Sequence, residues 1–95
     1  MNIEDREAIY CQAIAHYGAE RQIIKAIEEV GELLEEIARY KGGAANQWEL
    51  MDEIADVSIM LEQMRLIAEI DPVELEDRVT YKLGRLAGRM EHETD

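Results

Sequence analysis

Ninety-five residues allow one small domain, and the chain reads as a single unit over 1–95. Twenty-two Asp and Glu against ten Lys and Arg give a formal net charge of −12, which sets the surface against nucleic acid and anionic membranes. Glu, Ala, Leu, Ile, Met and Arg are abundant, there is one Pro, and Phe is absent, so the composition favours helices over sheets.

The first helix is expected over about 3–17, weakly amphipathic through Ile3, Ala8, Ile14 and Tyr17, with Gly18 ending or kinking it. The second covers about 19–40. Its apolar residues Ile23, Ile27, Val30, Leu34, Ile37 and Ala38 recur at the helical period, and Gly42-Gly43 stops it. The third starts at Asn46, an N-cap with Glu49 three residues on, and runs to about Ile70. Asp71-Pro72-Val73-Glu74 is a second start signal, and the last helix spans about 72–90 before a polar, frayed tail His92–Asp95. The expected fold is therefore all-α, a four-helix bundle-like protomer of antiparallel helices.

On the second helix, Glu28, Glu32, Glu35 and Glu36 fill the arc opposite the apolar one, and Glu29 stands at its border. Glu35 and Glu36 read as a solvated face. The third helix is apolar over most of its circumference (Met51, Ile54, Val57, Ile59, Met60, Leu61, Met64), which predicts burial in the domain or at an oligomer interface. Glu53 sits among Val57, Met60 and Met64, where a carboxylate loses hydration and needs a proton, a cation or a metal. The pairs Glu29/Glu32 and Glu53/Asp56 are each spaced three apart, so each pair shares one helix face. Two such pairs on facing helices can converge on one point, a donor set suited to hard divalent cations and to the phosphate oxygens they recruit.

The last helix carries Arg78, Lys82, Arg85 and Arg89 at spacings of four, three and four, a cationic row that can face phosphate. Lys82 and Arg85 are the central candidates. Lys25, four residues before Glu29, either pairs with it or contacts phosphate. Trp48 at a helix start reads as a packing anchor. His16 has no second histidine or cysteine at ligand spacing, which argues against zinc. Cys11 is the sole cysteine, so no intrachain disulfide forms, as suits a cytoplasmic chain. The charged N-terminus does not read as a signal peptide, and no apolar run reaches membrane-spanning length.

The stretches Lys25-Ala-Ile-Glu-Glu-Val-Gly-Glu-Leu and Asp52-Glu-Ile-Ala-Asp-Val closely resemble the MazG-like family of all-α nucleoside triphosphate pyrophosphohydrolases. That family carries E-E-x-x-E on one helix and E-x-x-D on the next, here Glu28, Glu29, Glu32 and then Glu53, Asp56. Tyr17–Gln22 also resembles the lead-in of short, phage-type members, and the likeness covers roughly residues 15–90. The resemblance implies Mg2+, with Mn2+ a possible substitute, held by Glu29, Glu32, Glu53 and Asp56. It implies water attack at the α-phosphorus of a nucleoside triphosphate, giving monophosphate and pyrophosphate. By the same resemblance Glu28 orients the water or joins a second metal site, and Lys82 and Arg85 reach the phosphates. A homo-oligomer, dimer or tetramer, is implied, with the site completed by a neighbouring subunit. The alternatives are a phosphoribosyl-ATP pyrophosphohydrolase, whose pattern is similar, and a non-catalytic helical dimerisation module.

Overall fold

The computed structural model describes residues 1–93, and no strand occurs among them. Four helices follow in order: α1 (Ile3–Tyr17), α2 (Ala19–Lys41), α3 (Gln47–Ile67) and α4 (Pro72–Glu93). The expected all-α class is what the chain adopts.

The helix ends follow from local chemistry. Asn2 Oδ1 accepts a hydrogen bond from the Asp5 amide at 2.8 Å and caps α1. Gly18 divides α1 from α2 at φ +91°, a left-handed conformation that a side chain resists. Gly43, at φ +79°, follows the end of α2, and the Ala44 amide reaches back to the Arg39 carbonyl at 2.8 Å. Asn46 Oδ1 accepts from the amides of Trp48 and Glu49, both at 3.0 Å, and opens α3. Asp71 Oδ1 accepts from the Val73 amide at 2.7 Å and opens α4.

α3 stops at Ile67, three residues short of expectation. Glu69 adopts φ +56°, and the Ile70 amide bonds the Arg65 carbonyl at 3.0 Å, so a left-handed turn ends the helix without glycine. Periodicity carried the sequence reading through this turn because Leu66, Ile67 and Ile70 keep the apolar pattern going. α4 runs through His92 and Glu93, further than expected. The rest of the expected frayed tail, 94–95, lies outside the described residues.

α2 and α3 form the main packed pair. Gln22 meets Gln63 at one end and Arg39 meets Glu49 at the other, so the two helices run in opposite directions. α1 packs more lightly on both. The buried set is small and mostly polar: Ala26, Val57 and Met60, with Gln22, Glu29, Glu36 and Gln63. α4 buries none of its described residues. The radius of gyration is 16.4 Å, against about 12 Å for a compact chain of this length. Within one chain, then, three helices cluster and the fourth stands off. α3 buries only Val57, Met60 and Gln63, so most of its apolar circumference is uncovered. Trp48 is also exposed and anchors no packing in the chain. No described helix is long and apolar enough to cross a membrane.

Candidate functional site

Midway along the α2–α3 pair, one carboxylate oxygen each from Glu29, Glu53 and Asp56 lie within 4.8 Å of one another. Six oxygens about 2.1 Å from a magnesium ion are at most about 4.2 Å apart, so the three oxygens stand near the spacing that one such ion requires. Glu32 is exposed and outside this close group, but it feels the charges of Glu29 and Asp56. The helical spacing of three within each pair produces the convergence, because each pair projects from successive turns toward the other helix.

The cluster is compensated only in part. Glu29 is 7% exposed, yet its Oε2 has no hydrogen-bond partner, and Glu53 Oε2 is likewise buried and unpartnered. Buried carboxylate oxygens without partners are costly, and an oxygen-seeking cation removes the cost. The Glu53 carboxyl is held above the usual carboxylate range, first by burial and then by the charges of Glu32, Asp56, Glu29 and Glu36. The Glu32 carboxyl is also raised, first by the charge of Glu29 and then by burial and its hydrogen bond to Glu29. One cation is at hand: Lys25 Nζ lies 3.0 Å from Glu29 Oε1, and the hydrogen bond and charge of Glu29 hold its ammonium above the ordinary lysine value.

A cleft of about 680 Å³ lies between α1, α2 and α3, and none of Glu29, Glu32, Glu53 and Asp56 is among its lining residues. Lys25 and Glu28 line its edge on the carboxylate side. Tyr10 and Tyr17 of α1 and Ile59 and Met60 of α3 supply its apolar walls. Gln22 and Gln63 also line it, joined by a 2.6 Å hydrogen bond from Gln22 Nε2 to Gln63 Oε1. Aromatic and aliphatic walls with a few placed amides suit a flat, partly polar small molecule, and the volume lies in the range of ligand pockets.

Glu29, Glu53 and Asp56 are thus brought together; Glu32 is near enough to feel the charges of Glu29 and Asp56 but is outside that close group, and Lys25 pairs with Glu29. Lys82 and Arg85 are not part of this grouping within one chain. Both are exposed on α4, neither lines the cleft, and neither is among the charges that act on Glu32 or Glu53. Glu36, expected in solvent, is buried, and its carboxylate receives Arg39 at 3.1 and 3.3 Å. Sequence reasoning missed the cleft. Its available signals were Gln63 amid the apolar residues of α3 and the i, i+7 spacing of Tyr10 and Tyr17. Compared with models of known protein families, with curated proteins and with solved structures, the chain matches none.

Proposed function

We propose that the protein is a magnesium-dependent nucleoside triphosphate pyrophosphohydrolase. The observation that carries the reading is the pair of buried, unpartnered oxygens, Glu29 Oε2 and Glu53 Oε2, grouped with Asp56 and linked through Lys25, the ion-pair partner of Glu29, to a ligand-sized cleft. The all-oxygen donor set fits a hard divalent cation better than zinc, whose sites draw on histidine and cysteine. The sequence resemblance described above supplies the reaction.

In this reading Glu29, Glu32, Glu53 and Asp56 hold the metal. Magnesium bound there supplies charge neutralisation on the phosphates and lowers the pKa of a coordinated water. Tyr10, Tyr17, Ile59 and Met60 receive the nucleoside by stacking and apolar contact. Glu28, at the border between cleft and carboxylates, orients the attacking water and accepts its proton. The water oxygen bonds to the α-phosphorus, the α–β bridge bond breaks, and pyrophosphate leaves with the bond's electron pair. Lys25, cationic beside Glu29 and on the cleft lining, would hold the phosphate tail. Lys82 and Arg85 of the same chain lie outside the cleft lining and are given no role in this step.

The test is a panel of ribo- and deoxyribonucleoside triphosphates assayed for pyrophosphate release with and without magnesium. Magnesium-dependent release from at least one nucleotide is expected. No release from any would leave a helical interaction module as the better account.

A further inference from the structure

Two apolar rows are left uncovered on this chain. On α2, Ile27, Val30, Leu34 and Ile37 recur at three and four residues and are exposed, Ile27 to 68% and Leu34 to 65%. On α4, Val79, Leu83, Leu86 and Met90 recur at four, three and four and are also exposed, Leu83 to 58%. Advancing about 100° per residue, Met51, Ile54 and Leu61 of α3 fall on the same side of the α2–α3 pair as the α2 row, the side away from Glu28, Glu32 and Asp56. The pair therefore presents one broad apolar face opposite its carboxylates.

The surface areas say how much cover is missing. The chain exposes 7650 Å², against about 5600 Å² for a compact monomer of its mass. The excess of about 2000 Å² per chain exceeds what a standard interface takes from each partner, about 800 Å², and lies in the range of permanent dimers. Nor does α4 lie loosely linked. The Ile70–Arg65 backbone bond, the left-handed Glu69 and the Asp71 cap build its departure from α3, and Arg65 Nη1 donates to the Ile70 carbonyl at 3.4 Å. Pairing two α2–α3 faces directly would leave both α4 rows in water. Reciprocal exchange covers both kinds of row at once.

We infer that the protein is a dimer in which α4 of each copy lies on the α2–α3 apolar face of the other. Val79, Leu83, Leu86 and Met90 pack on Ile27, Val30, Leu34 and Ile37 of the second copy. The row Arg78, Lys82, Arg85 and Arg89 borders the apolar row on one flank. It brings positive charge to an interface between two chains of net charge −12. This inference does not rest on the reading of the carboxylate site, and its failure would leave that reading untouched.

Analytical centrifugation of the intact chain, with Leu83→Glu on α4 and Leu34→Glu on α2, tests it. The wild-type chain is expected to be a dimer at micromolar concentration, and each substitution is expected to weaken it at least tenfold with helicity retained. The milder Leu86→Gln should shift the equilibrium in the same direction. In dimers mixed from isotope-labelled and unlabelled copies, nuclear Overhauser contacts should join Leu83 and Leu86 methyls of one copy to Ile27 and Leu34 of the other. A monomeric wild type, a dimer indifferent to Leu83→Glu, or intermolecular contacts confined to α2 and α3 would each overturn the inference.

Discussion

Gln63→Leu is a sharp test of how the α2–α3 pair is held. Gln22 and Gln63 are 8% and 3% exposed, and among the described residues their 2.6 Å hydrogen bond is the one side-chain bond joining buried residues of the two helices. Replacing one amide leaves the other buried without its partner, a loss of roughly 1–3 kcal/mol. In a domain of this size that lowers the melting temperature by roughly 4–24 °C. Replacing both, as in Gln22→Leu/Gln63→Leu, removes the unpaired group and adds apolar contact with Met60 and the cleft wall. The double variant should therefore be far more stable than the two losses added together, and close to the wild type. Urea melts followed by circular dichroism, at one protein concentration throughout, give the four corners of the cycle. Additive losses would refute the reasoning and mean the amides face water independently.

Other outcomes follow from the same contacts. Glu53 and Glu32 hold their protons more tightly folded than unfolded. Their contribution is fully present below the ordinary carboxylate value and is lost as pH rises through the raised folded values. The metal-free protein should thus gain stability as pH falls from neutrality toward that range, and Glu53→Gln should flatten the gain; melting curves at stepped pH with chelator check this, and a steady loss on acidification would contradict it. Lys25→Ala should weaken a nonhydrolysable triphosphate about tenfold or more while sparing the monophosphate, by calorimetric titration; equal losses would remove Lys25 from the phosphates. The same titration with Lys82→Ala and Arg85→Ala decides whether the α4 row contributes. Asn46→Ala should cost about 1 kcal/mol in chemical melts, since two amides at the start of α3 lose their acceptor.

The helices were legible because caps and period agreed. Asn46 and Asp71 named the starts of α3 and α4, and the row from Ile23 to Ile37 named α2. The convergence of Glu29, Glu53 and Asp56 was legible too, since three-residue spacing on two facing helices leaves the carboxylates little choice. What periodicity could not give was destination. An amphipathic helix announces that its apolar face will be covered, not by what, so α4 reads equally as a fourth bundle member or as a projecting arm. The end of α3 was hidden for another reason: Glu69 enters the left-handed region where the sequence offers no glycine to mark it. Glu36 misled in the same way as any surface-patterned glutamate, its burial depending on Arg39 one turn away.

The most direct measurement is product identification by phosphorus NMR, with magnesium, for the wild type and for Glu53→Gln and Glu32→Gln. Each amide keeps the size of the side chain and removes the charge that the cation requires. The account predicts monophosphate and pyrophosphate from the wild type, no products after chelation, and none from either variant at unchanged helicity. Diphosphate and inorganic phosphate as products, or turnover surviving in the Gln variants, would contradict it.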